Sequence, residues 1–282
     1  MHGPTILARF LAEPGPADKY GNEWQYNSRS DRHSKVGCWG IAFDLLLSSN
    51  LLRRHVEEGK VALGVNHEMR DFATSRKKDL DLVIARPAGS VTANHRSLRS
   101  LSDSYGIVLS REERSVLDGL PDFPVAPVGA VLVALEAKAT MTAHIKALPR
   151  LYDELNSSHQ CVHGASAQAL AIGYVQVNAA DRFASSVTNN LPLDQFPIRY
   201  TPHRQPRDTE RVISKVRELP RRTRQSDHGF DGLGITVLSF ENDGGPVEIV
   251  TDPPAPNRGE SDNYDRMIER MATEYDTRFL AV

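Results

Sequence analysis

The run VLVALEAK, residues 131–138, constrains the fold of this chain more than any other stretch. Its first five residues are apolar at odd and even positions alike, a pattern expected of a strand covered on both faces. Such a strand needs neighbours on either side and helices above and below. Glu136 and Lys138 then break the run two positions apart, so their side chains share one face at the end of a core strand. Charges there are costly unless paired or ligated.

Elements that could cover this strand read clearly on either side. From Ser34, the residues Val36, Trp39, Ala42, Phe43, Leu46 and Leu47 recur at three- and four-residue steps, which predicts one helix ending near Glu57-Glu58-Gly59. VALGV at 61–65 predicts a strand. DLDLVIA at 79–85 predicts another, with Leu80, Leu82 and Ile84 alternating against Asp79, Asp81 and Val83. Residues 86–127 read as an insertion containing one short helix at SREERSVLDGL. After the central strand, Met141, Ile145, Leu148, Leu151 and Leu155 mark a helix kinked by Pro149, and ALAIGYVQVNA at 169–179 reads as a further buried strand. Further on, a helix is expected over about 209–219, strands at 234–240 and 247–250, and a helix over about 263–279. The order helix, strand, strand, strand, helix, strand predicts an α/β fold, a mixed central sheet flanked by helices.

The chain divides accordingly. Residues 1–35 are expected to be a polar N-terminal arm, because EPGPADKYGNEWQYNSRSDRHSK at 13–35 shows no sustained apolar period. Residues 36–180 form the core with its insertion, and residues 181–282 a C-terminal part packed on that core. At 282 residues and 40% hydrophobic content the length suits one large domain. Internal repeats and low-complexity segments are not evident.

Charge excludes some functions. A formal net charge of −2 argues against an overall cationic coat, yet only eight of the 34 basic residues are lysine. Arginine suits carboxylate and phosphate forks, although a GC-rich genome gives the same bias. Residues 199–224 concentrate nine Arg or Lys against three Asp or Glu, a local excess of six. Cys38 and Cys161 lie outside any CxxC spacing, so neither a disulfide framework nor a zinc site is expected, and a reducing cytoplasmic setting fits. The TILARFLA stretch is short for a signal sequence, and no run reaches the length of a membrane span. Rossmann, P-loop and serine-hydrolase signatures are missing. His163 and His228 lack partners at ligand spacing and read as turn or surface residues.

Two E-x-K triplets occur, and chance alone predicts about one. Glu58-Gly59-Lys60 ends a helix and reads as a solvated charge pair, whereas Glu136-Ala137-Lys138 ends a buried strand. Asp79 and Asp81 make the same argument on the preceding strand. If the two strands are neighbours, these carboxylates can gather around a hard cation such as Mg²⁺, which prefers oxygen ligands. The bland alternative pairs Asp79 or Asp81 with Arg76, Lys77 or Lys78, and Glu136 with Lys138, at a wet strand end.

DLDLVIA, a long gap, then VALEAK on a strand followed by a helix resembles the PD-(D/E)XK superfamily, the restriction-endonuclease-like nucleases. The resemblance covers roughly residues 36–180 and implies that fold's core, with insertions. It implies Mg²⁺-dependent hydrolysis of DNA phosphodiester bonds, with one or two ions and Mn²⁺ as a substitute. Asp81 takes the place of the motif's aspartate, Glu136 and Lys138 its E-x-K pair, and Asp79 competes with Asp81. Leu80 replaces the motif's proline, and 54 residues separate Asp81 from Glu136. A further acid from the first helix or after it would be Glu57 or Glu68. DNA contacts are expected from Lys146 and Arg150, four apart on the following helix, and from Arg204, Arg207, Arg211, Lys215, Arg221 and Arg222 in the basic segment. The implied setting is a type II-like restriction endonuclease, a cytoplasmic homodimer defending against foreign DNA. A non-catalytic nucleic-acid-binding protein on the same scaffold, or an interaction domain whose charges are surface pairs, are the alternatives.

Overall fold

The central strand builds what its two-sided burial demands. In the computed structural model, which describes residues 1–71, 75, 77–89 and 96–282, β3 (Val128–Thr140) lies third in a six-stranded mixed sheet. The strands are β1 (Ala62–Arg70), β2 (Lys77–Pro87), β3, β4 (Leu170–Asn178), β7 (Gly232–Ser239) and β8 (Glu248–Val250), in that spatial order. A separate two-stranded ribbon joins β5 (Arg182–Phe183) to β6 (Thr201–Pro202). β3, β4 and β7 run parallel, while β1–β2, β2–β3 and β7–β8 are antiparallel. The parallel strands need crossovers, and α6 (His144–Ala165) and α7 (Arg207–Arg217) lie in those connections.

Two apolar layers hold the sheet. On one face α1 (Gly3–Ala12), α2 (Arg32–Ser48) and α8 (Tyr264–Arg278) bury a cluster that includes Trp39, Phe43, Leu82, Ile84, Leu135 and Tyr275. On the other, α6 and α7 cover Val83, Ala134, Val175 and Val237 with Leu151, Leu155, Val212 and Val216. α2 is buried nearly all round, from Val36 to Leu46, because α1 and α8 cover the side turned from the sheet. Its Asp44, fully buried, accepts from the His2 and Gly3 amides and from the Tyr264 hydroxyl, supplying α1 with the anion at its N-terminus that its own sequence lacks.

The structure departs from the sequence pattern in three places. The expected polar arm holds α1, whose Ile6, Leu7 and Leu11 are fully buried, and Trp24 and Tyr26 are buried further along, so residues 1–35 do build core. The single helix expected after Ser34 is two, because Ser49 ends α2 and caps α3 (Asn50–Glu57) by accepting from the Leu52 amide at 2.9 Å. The insertion carries a second helix, α4 (Leu98–Ser104), capped by Ser97, before α5 (Arg111–Asp118), whose Ser110 and Glu113 form a reciprocal capping box. Leu98, Leu101 and Phe123 of this insertion join the main core. Among the described residues no helix is long and apolar enough to cross a membrane.

Candidate active site

Adjacent strands deliver Asp81, Glu136 and Lys138 to one place. The β2–β3 ladder runs through Ile84–Val133 and Val83–Ala134 and ends at Leu82–Leu135, so Asp81 and Glu136 are the residues just past its end. There the Asp81 side chain bridges to β3: its Oδ2 accepts from the Ala137 amide at 3.0 Å. Glu136 and Lys138, two apart, emerge on the face covered by α6.

Glu136 is the most buried member, with 3% of its surface exposed. Its Oε1 receives Lys138 Nζ at 2.7 Å and Lys78 Nζ at 3.2 Å, while Oε2 is buried without a hydrogen-bond partner. The other E-x-K triplet behaves differently: Glu58 and Lys60 meet at 2.8 Å with both side chains more than 40% exposed. Burial and then the negative charge of Glu136 push the Asp81 carboxyl up to about 6. Burial alone would lower the Lys138 ammonium, but Glu136, followed by Asp81 and Glu154, outweighs it and holds the pKa above the usual lysine value. Lys138 is therefore a cation at neutral pH, suited to hold or stabilise an anion rather than to remove a proton.

Surrounding elements complete the site with residues to which the sequence pattern gave no place in it. Lys78 opens β2. Glu154, on α6, places Oε2 3.5 Å from Lys138 Nζ and is tied through Oε1 to Arg150 Nε at 2.6 Å. The i, i+4 spacing of Arg150 and Glu154 was a readable signal. From α2 come Cys38, whose thiol approaches Asp81 Oδ2 at 3.9 Å, and Ser34, which donates to the Ala137 carbonyl at 3.2 Å. Burial, then Asp81, pushes the Cys38 thiol up, so it stays protonated. Burial, then the Lys138 charge, lowers His33 to about 4, leaving a neutral imidazole. A cleft of about 400 Å³ opens beside Asp81 and Lys138, lined also by Tyr26, His33, Arg150 and Glu154.

The other candidate residues lie elsewhere. Asp79 and Glu68 face each other across the β1–β2 ladder, both exposed, and Glu68 Oε1 pairs with Lys77 Nζ at 2.8 Å. Glu57 is exposed at the end of α3, which packs on α8. Arg76 lies outside the described residues. Lys146, Arg204, Arg207 and Arg211 are exposed, as is Arg150 beside the cleft. Lys215 pairs with Glu218 and lies over the Tyr152 ring, and Arg221 is half-buried. Arg222 corrects the sequence expectation outright. It is 2% exposed and spends its guanidinium on His163, the Ala167 carbonyl and Asp231, because a cation this buried must satisfy its donors internally. Its partner His163 is likewise no surface histidine.

A hard divalent cation fits Asp81 and Glu136 on two observations. Oε2 of Glu136 is an orphaned buried acceptor, and Asp81 is raised by burial and then by the Glu136 charge, the second of which a cation between the carboxylates would relieve. Among the described residues no group of three or more His, Cys, Asp or Glu could hold a metal; a cation here would have two carboxylates and otherwise waters or phosphate oxygens, a shell of the kind Mg²⁺ takes. Fold and site together define an α/β protein with paired carboxylates and a lysine at the end of a central strand. Compared with family models, with curated proteins and with solved structures, the chain matches none.

Proposed function

We propose that this protein is a Mg²⁺-dependent endonuclease hydrolysing DNA phosphodiester bonds, of the PD-(D/E)XK type. The observation that carries the reading is the meeting of Asp81, Glu136 and Lys138 on adjacent strands, with an unpartnered carboxylate oxygen among them. The succession α2, β1, β2, β3, α6, β4, antiparallel through β3 and parallel from β3 to β4, supports the same reading, since it resembles the restriction-endonuclease-like core.

In this reading Asp81 and Glu136 hold the cation through oxygen. When bound, the metal supplies charge neutralisation at the phosphate and a lowered pKa for water. Lys138, kept cationic, orients the attacking water and stabilises charge that develops on the phosphate oxygens. Lys78 holds the same Glu136 oxygen and keeps the carboxylate aimed. Arg150 and the exposed Arg204, Arg207 and Arg211 serve phosphate contacts, which position the strand without reading its sequence. A type II-like restriction endonuclease acting as a cytoplasmic homodimer is the setting this analogy favours.

Plasmid DNA incubated with the protein and Mg²⁺ or Mn²⁺ should be nicked or linearised, and EDTA should stop it. Failure to cut any DNA form, methylated or unmethylated, would sink the nuclease reading. Retained binding in that case would favour the non-catalytic nucleic-acid-binding alternative.

A further inference from the structure

Next to the cleft lies a second cavity, of about 230 Å³, lined among others by Phe10, Trp24, Tyr26, Arg32 and His33. Tyr26, Ser30 and His33 line both spaces, so the two adjoin across these side chains. Its size falls below the roughly 300–1,000 Å³ of sites that take drug-sized ligands, which suits a single ring system. The aromatic lining is preformed: Trp24 donates from Nε1 to Asp18 at 2.9 Å, and Tyr26 packs against His33 with ring centroids 4.8 Å apart.

Arg32 gives this cavity its chemistry. Its guanidinium carbon sits 4.8 Å from the Phe10 ring centroid. Among the described residues no carboxylate lies within ion-pair distance of it, whereas Arg222 and Arg217 are fully engaged with acids or carbonyls. Gly15 makes the room, since a Cβ there would come within 2.6 Å of Arg32 Nη1. A stacked guanidinium with open donors, beside aromatic rings, offers a face for a flat ring and a fork for two acceptors on its edge.

We infer that this cavity takes one unstacked nucleobase of the strand held in the cleft, with Arg32 favouring guanine through its O6 and N7 edge. The inference rests on the nuclease reading for its DNA, but it concerns a different space and different residues. Bases bound out of the stack are held in this way, by aromatic stacking and edge hydrogen bonds.

The chain has two tryptophans, and only Trp24 lines the cavity; Trp39 is fully buried and donates to the Leu98 carbonyl. The protein is titrated in EDTA with each deoxynucleoside 5′-monophosphate, with deoxyribose 5-phosphate and with inorganic phosphate, while tryptophan emission is followed. Saturable quenching by the nucleotides is expected, tightest for dGMP, with no quenching by the two base-free compounds. Arg32→Ala should weaken dGMP binding about tenfold or more and level the preference among bases. Trp24→Phe should remove the signal, and calorimetry on that variant should still detect dGMP. An equal response to base-free phosphate, or dGMP binding unchanged in a folded Arg32→Ala protein, would overturn the assignment. dGMP binding by a protein that never cuts DNA keeps the cavity and removes the nuclease; cutting without nucleotide binding does the reverse.

Discussion

Two buried carboxylates, Glu136 and Asp231, are surrounded by cations, and the protein treats them in opposite ways. Asp231, just before β7, is 2% exposed; its Oδ2 accepts from the Ala171 amide at 2.9 Å, and its Oδ1 meets Arg278 Nη1 at 3.1 Å. Arg222 and His163 approach within 3.7 Å and 3.6 Å. His163 accepts from Arg222 at Nδ1 and donates from Nε2 to the Gly229 carbonyl, a neutral tautomer consistent with its lowered pKa, set by burial and then by Arg222. Both carboxylate oxygens are thereby engaged. Glu136 keeps Oε2 unpartnered, and its charge adds to the burial that raises its neighbour Asp81. A satisfied network stabilises a fold; an unsatisfied one leaves a buried acceptor whose cost the fold carries, which is the feature the proposed cation site rests on.

The largest effect that separates the two should be catalytic. Glu136→Ala and Lys138→Ala should each lower plasmid cleavage by about 10²-fold or more, the scale of losing a transition-state electrostatic contact, with the circular dichroism spectrum retained. Arg222→Ala should instead cost about 3–5 kcal/mol of stability in urea titrations, because Asp231 is left buried without one of its cations, while cleavage per folded molecule stays near normal. If Arg222→Ala abolished cutting in fully folded protein, the division between the clusters would fail.

Smaller effects follow from pH. The folded Asp81 titrates near 6, above its ordinary value of 3.8, so its ionised form is penalised by folding. Its protonated form carries no such penalty; stability falls as pH rises from about 4 through 6, and the cost is complete above that window. Asp81→Asn should therefore stabilise the metal-free protein at pH 7.5 by about 1–3 kcal/mol, with the gain vanishing near pH 4. Equal gains in urea melts at both pH values would contradict the assignment. Mg²⁺ should raise Tm more at pH 7.5 than at pH 5, where it must displace a proton from Asp81, and Glu136→Gln should remove that difference. Mildest of all, Arg150→Ala should weaken DNA binding only slightly and flatten its salt dependence by about one phosphate contact, since the side chain is 83% exposed.

Local pattern carried much of the architecture. The two-sided apolar run of 131–135 became a strand with a partner on each side, and the period-two stretch at 79–85 its antiparallel neighbour. The three- and four-residue steps after Ser34 became α2, but they could not locate the break at Ser49, whose capping hydroxyl matters only once the chain turns. Polarity misled over 13–35: Trp24 and Tyr26 are scattered among polar residues, yet both are buried, Tyr26 against His33 of α2 and Phe183 of β5. Arg222 misled for the same reason, because arginine count reports charge and not the acid it will meet.

What the sequence determined by itself was chemistry and spacing: Glu136 and Lys138 two apart on a core strand, and Asp79 and Asp81 two apart on the one before, since alternation along an extended backbone is a local property. Tertiary structure set the two aspartates in different places. The end of the β2–β3 ladder at Leu82–Leu135 left Asp81 within reach of the Ala137 amide, while strand register set Asp79 against Glu68 at the exposed end of the β1–β2 ladder. It also brought Lys78, Glu154 and the α2 residues to the same place from distant positions. Register and helix docking are fixed by burial across the whole core, and no local window of sequence contains that information.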